Sequence, residues 1–254
     1  MEKQEDERAG RSHVMVIPFP IQGHINPMLQ FSKRLVSKGL KVTLVSAFMN
    51  PDVIQPQPNS AGTTLNVSVE SIPYEPDPET ATDQFERIDA FLERFQKLVT
   101  LRLGEVIKKQ LTPVTWVVYD SVIPWALDVV KQLELGLFAA SFFTQSNAVN
   151  AIYYNVHQGL LTVPVEEPSV TIMGLPQQLH ICDLPSFVSH AGHSAYPSIL
   201  GLVINQFSNF TKADCIFFNT FDSLEGEVLL LTNSAHVYIW INWRALFPSA
   251  FSFS

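Results

Sequence analysis

Two side chains stand out for the chemistry they carry. His24 sits in Gly23-His24-Ile25-Asn26-Pro27, soon after the apolar run His13-Val14-Met15-Val16-Ile17, and Asp120 directly follows Thr115-Trp116-Val117-Val118-Tyr119. An imidazole readily takes a proton near neutral pH. A carboxylate on one ring nitrogen fixes the tautomer and leaves the other nitrogen as the base. The same carboxylate stabilises the imidazolium once the proton has moved. Taken singly, Asp120 also suits the N-cap of a helix opening near Ile123, and His24 a packed or solvated position.

The order of elements between them decides whether they meet. Segments rich in β-branched and apolar residues recur at 13–17, 41–46, 66–70, 115–119, 138–142 and 214–218. Most of the intervals have helical period; in the first, Met28, Leu29, Phe31, Leu35 and Val36 fall on one face. This alternation predicts an α/β fold, a Rossmann-like doubly wound parallel sheet with helices on both faces. Right-handed crossovers then put the second and third strands on one flank and set the first beside the fourth, at the switch point where ligands collect. His24 and Asp120 are expected at that crevice.

Punctuation supports these boundaries. Pro27 and Pro124 read as residues near helix starts, where a missing amide proton costs little, and Lys38-Gly39 closes the first helix. Three prolines between Ile72 and Pro78 mark a loop. A long helix is expected from about Asp83 to Lys109, with Phe91, Phe95, Leu98 and Leu101 on one side. Between Thr162 and Pro197 the pattern becomes an irregular excursion of the kind that builds pocket walls.

Composition excludes several function classes. The 254-residue chain is 46% hydrophobic, enough for a substantial core. Sixteen basic against 24 acidic residues leave a net charge of −8, with no basic run interleaved with aromatics, so nucleic acid is not an expected partner. The charged start, Met1 to Arg8, lacks a secretory leader, and no run reaches membrane-spanning length. Cys182 and Cys215 have no CxxC spacing, which suits a reducing compartment; the expected location is cytoplasmic and no membrane partner is expected. The sequons Asn66-Val67-Ser68 and Asn209-Phe210-Thr211 therefore read as chance matches.

The first turn, Pro18-Phe19-Pro20-Ile21-Gln22-Gly23-His24, is not GxGxxG, which disfavours a dinucleotide reductase or another nucleotide-dependent enzyme of that design. Neither a GxxxxGK[ST] loop nor a GxSxG elbow occurs. His180, Cys182, Asp183, His190 and His193 crowd one region without a zinc spacing, so no metal site is expected. No cofactor is expected either.

The stretch His13 to Ser46, centred on Pro18 to Met28, resembles the plant cytosolic UDP-dependent glycosyltransferases of the inverting, two-lobed GT-B type. So do Phe142-Phe143-Thr144-Gln145-Ser146 with Ala148 to Ala151, Cys182 to Phe187, and Ala213-Asp214 leading into Phe218-Asn219-Thr220-Phe221. The resemblance spans about residues 13–235, one acceptor-binding lobe, preceded by a disordered tail (1–12) and followed by a divergent tail (236–254). It implies that His24 is the catalytic base and Asp120 its partner. It further implies that an acceptor hydroxyl or carboxyl attacks the anomeric carbon of a UDP-sugar, with glucose expected, and inverts it. Thr144 matches a donor-sugar contact and also suits a helix N-cap. Gly23 would let the donor approach the backbone closely, or simply serve the turn. Phe19, Phe143 and Phe187 are expected walls of the acceptor pocket.

Nothing here resembles the donor signature of the family's second lobe, and the likeness stops after about Ser234. Two expectations follow. In the first, this is an acceptor lobe that lacks most of the donor site and is inactive alone, the missing C-terminal lobe being its natural packing partner. In the second, it is a non-catalytic truncated product that binds small apolar or phenolic ligands, or interferes with a full-length relative.

Overall fold

The computed structural model describes residues 12–47, 67–72, 84–189, 197–220, 224, 225 and 228. Among the described residues, six parallel strands form the sheet: β1 (His13–Ile17), β2 (Lys41–Ala47), β3 (Ser68–Ile72), β4 (Trp116–Asp120), β5 (Phe138–Phe143) and β8 (Cys215–Phe218). Their spatial order is β3-β2-β1-β4-β5-β8. Strand β1 thus lies between β2 and β4, with Ile17 level with Tyr119. The expected switch point is present.

Among the described residues, these helices accompany the sheet: α1 (Gln22–Ser37), α2 (Gln84–Lys108), α3 (Trp125–Gln132), α4 (Asn147–His157) and α5 (Pro197–Asn205). Every residue of β1 is buried, because both sheet faces are covered. Val14 and Val16 join the cluster of Met28, Phe31 and Leu35 from α1, whereas Met15 and Ile17 join that of α2 and α3. One alternating strand thereby feeds two cores.

Between α4 and α5 the chain makes its irregular excursion. Its described residues hold a two-stranded antiparallel ladder, β6 (Ser169–Val170) with β7 (Leu179–His180), and a 3-10 turn over Ile181–Asp183. Val165, Ile172, Leu184 and Val188 bury themselves with α4, α5, Phe207 and Phe210 in a third cluster.

Two local expectations need correction. Helix α1 opens five residues before Pro27, which lies inside it. Proline removes the bond that would reach the carbonyl of Gly23, and the rest of the helix bears this loss. His24 consequently belongs to the first turn of α1 rather than to a preceding loop. In α2 the buried stripe is Phe95, Val99, Leu103, Val106 and Ile107, while Leu101 is 64% exposed. Six residues at 100° each carry Leu101 well round the helix from Phe95.

The closing turn of α1 is as expected. Gly39 has φ +84 and donates to the Val36 carbonyl, and Leu40 donates to Leu35. Among the described residues, no helix is long and apolar enough to cross a membrane. The tails 1–11 and 229–254, and Asn66, lie outside the described residues. Asn209 is buried, with its side-chain amide donating to the Pro124 carbonyl, and is not accessible for glycosylation.

Candidate active site

Strand β4 ends on Asp120, and the wholly buried side chain turns toward the loop that follows β1. Its Oδ2 accepts from His24 Nδ1 at 2.8 Å and from the Phe19 amide at 3.2 Å, while Oδ1 accepts from the Val122 amide at 3.3 Å. Three donors compensate for burying the carboxylate. Asp120 is not a helix N-cap. Helix α3 starts at Trp125 behind Pro124, with no side-chain cap.

A carboxylate only accepts, so the ring proton of a neutral His24 resides on Nδ1 and Nε2 carries the lone pair. The His24 side chain keeps 12% of its surface exposed. That margin decides its use, because a reactant can approach an imidazole whose orientation is already fixed from behind.

Thr144 lies one residue beyond β5, and its Oγ1 stands 3.1 Å from His24 Nδ1 as a second oxygen at the protonated nitrogen. Its carbonyl accepts from the Asn219 side chain at 3.1 Å. The N-cap of α4 is Ser146, whose hydroxyl accepts from Val149, so Thr144 is not a cap. Glu225 takes the first two amides of that helix, Asn147 at 2.9 Å and Ala148 at 3.1 Å. The anion-attracting end of α4 is thus filled by the chain's own carboxylate.

Gly23 is the second residue of α1, and a Cβ placed there would meet nothing within 4 Å. Helix α1 begins after Ile21 without a side-chain cap, and the His24 amide of its first turn donates to the Ile21 carbonyl.

Beside this pair lies a cavity of about 550 Å3, a size suited to a small organic molecule. Phe19 belongs to both. Its ring meets the His24 ring edge-on at 5.5 Å and also lines the cavity with Phe95, Trp125 and Leu202. The wall is built from α2, α3, α4, α5 and the turn after β4, all from this one lobe.

Of the three aromatics expected as acceptor walls, Phe19 lines the cavity. Phe143 is completely buried, stacked on Phe218 at 4.7 Å and Phe207 at 5.5 Å. Strand β5 is covered on both faces, so turning Phe143 away from Phe142 sends it into another core, not into a pocket. Phe187 packs on that same cluster and does not line the cavity.

Sequence reasoning missed Trp125, His157 and the contact of Thr144 with His24. Trp125 and His157 carried little signal, since helix packing alone brings them to the cavity. It also missed Ser121, whose hydroxyl donates to Gln206 Oε1 at 2.8 Å and ties the turn after Asp120 to the segment following α5.

Among the described residues, no three His, Cys, Asp or Glu side chains are grouped to hold a metal. His180 and Asp183 instead cap the 3-10 turn reciprocally. His190 and His193 lie outside the described residues.

Fold and site together define a Rossmann-like α/β lobe with a histidine–aspartate pair at its switch point and a cavity alongside. The profile of the family described as glycosyltransferase, N-terminal domain, matches residues 11–236, and the chain belongs to that family. It is 38% identical over 223 residues to mogroside I-E synthase of Siraitia grosvenorii, covering 87% of this chain and 47% of the relative. It is 40% identical over 225 residues to UDP-glycosyltransferase 74F2 of Arabidopsis thaliana, covering 85% and 45%.

Among solved structures, Os79 from O. sativa in complex with UDP superimposes with a TM-score of 0.68 at 29% identity, covering 87% of this chain and 49% of that one. Os79 in complex with U2F and trichothecene gives the same TM-score and identity, with 87% and 50% covered. The chain spans about half the length of the curated relatives it matches.

Proposed function

We propose that this lobe supplies the acceptor site and the general base of a UDP-sugar-dependent glycosyltransferase acting on small plant metabolites. The acceptor lies in the cavity with its reacting hydroxyl at His24 Nε2. As that oxygen attacks the anomeric carbon, its proton passes to Nε2, the bond from the sugar to the diphosphate breaks, and UDP leaves from the opposite face. The sugar is thereby inverted. Asp120 remains ionised and stabilises the imidazolium. The observation that carries this reading is the 2.8 Å contact between His24 Nδ1 and the buried Asp120, which leaves Nε2 as the base.

Thr144 fits a double role. Its oxygen faces Nδ1, and a hydroxyl that accepts there still has a proton to donate to a sugar hydroxyl. Gly23 and the uncapped start of α1 leave room and a partial positive charge on the side where a donor would lie. Since Glu225 occupies the start of α4, the diphosphate must be held by groups outside that helix, as expected of a second lobe.

The test joins residues 13–235 to the second lobe of the Arabidopsis relative. The chimera should glucosylate a phenolic acceptor from UDP-glucose, and the 254-residue chain alone should not. Robust turnover by the chain alone, or full turnover by a His24→Ala chimera, would contradict the proposal.

A second reading is favoured by one observation: the cavity wall comes from this lobe's own elements, so ligand binding needs no second lobe. A chain that binds phenolics and gives an inactive chimera would be a binding protein.

A further inference from the structure

Gln96, His157, Ser198 and Asn205 interrupt the otherwise apolar cavity wall. Among the described lining residues, His157 is the one side chain able to ionise, and no Lys or Arg accompanies it. Its ring is held by Tyr154, centroids 6.4 Å apart, and Phe207, 5.8 Å apart. Among the described residues, neither ring nitrogen has a hydrogen-bond partner.

Helix α4 links the surroundings of the two histidines. It begins three residues after Thr144, whose hydroxyl touches His24, and His157 is its last residue. Eleven residues at helical rise make α4 about 16 Å long, with Thr144 just before one end and His157 at the other. Side chains lean toward the N-terminus of their helix, which shortens that span but leaves it wider than one aromatic ring. Asn205 ends α5 at the same cavity, which Phe19, Phe95 and Trp125 line as well.

We propose that His157 is a specificity-determining residue that, with Asn205, hydrogen-bonds a hydroxyl at the far end of an elongated, multi-ring acceptor whose other hydroxyl lies at His24. With no Lys or Arg among the described lining residues, a neutral hydroxyl suits that end better than a carboxylate, whose desolvation would go largely uncompensated. Single-ring phenols reach only one of the two ends. The inference rests on the cavity being the acceptor site.

Calorimetric titration of the 254-residue chain tests it, with a flavone hydroxylated at both ends and the analogue lacking the hydroxyl on the ring remote from the reacting one. The wild-type chain should bind the two-ended compound about tenfold more tightly, the value of one well-made hydrogen bond. His157→Phe keeps the ring contacts and should bring the ratio close to one, while His157→Gln restores part of it. Asn205→Ala, on an exposed helix end, should lower the ratio as well and provides the reading if His157→Phe changes the circular dichroism. A ratio of one in the wild-type chain, or an unchanged ratio in a folded variant, overturns the role of His157. Failure of both compounds to bind overturns the acceptor-cavity reading itself.

Discussion

Asp120 grips His24 from full burial, with Oδ2 2.8 Å from Nδ1, and the same oxygen accepts the amide of Phe19, whose ring lies against the imidazole. Position, tautomer and cavity wall therefore depend on one carboxylate. In the chimeric two-lobe enzyme, His24→Ala should lower kcat by about 10² to 10⁴ with acceptor affinity preserved, the range for a lost general base. Asp120→Ala should cost less in the chemical step. It also leaves the Phe19 and Val122 amides without their acceptor, so thermal unfolding should show a loss of about 1–3 kcal/mol.

Thr144 offers Nδ1 a second oxygen at 3.1 Å. Thr144→Val removes it and keeps the shape, and kcat of the chimera should drop by about tenfold, the scale of one hydrogen bond. Thr144→Ser should recover most of the activity. Equal kcat in all three, measured under saturating donor and acceptor, would leave the hydroxyl without a part in the reaction.

Helix α2 permits a comparison of neighbours. Leu103 is fully buried, and Leu103→Ala should cost about 2–5 kcal/mol through lost contacts and a residual cavity. Leu101 is exposed, and its replacement by Ala should change stability by less than about 0.5 kcal/mol. Urea unfolding monitored by circular dichroism distinguishes them.

His13 is buried at the start of β1, its ring bonded to Thr112 O and Thr43 Oγ1, each at 2.8 Å. Burial holds its pKa below the usual 6.5, Lys41 adds to the depression and the Thr112 bond opposes it. The unfolded chain then binds more protons between the depressed value and 6.5, so His13 makes stability fall as the pH drops through that window. His13→Gln should flatten the dependence of unfolding temperature on pH between 7 and the acid limb. An unchanged slope would remove His13 from the pH response.

Much of this architecture was legible because it rests on alternation and handedness. The six strand segments and right-handed crossovers were sufficient to put β1 beside β4, and with them His24 beside Asp120. What stayed hidden depended on packing. Phe143 is wall-like by type, yet a strand covered on both faces has no open side to give it. Pro27 reads as a helix start because proline is tolerated there, but the chain had already turned helical at Gln22. His157 came to the cavity only through the way α4 lies on α5 and the Phe207 segment, a tertiary relation without a local pattern.

The most direct test of the account is the tautomer of His24, read from long-range 1H–15N correlations of the imidazoles in the wild-type chain above pH 7, with His24→Gln to assign the signal. The proton is expected on Nδ1, facing Asp120 Oδ2, and the lone pair on Nε2. A wild-type ring protonated on Nε2 would contradict the account.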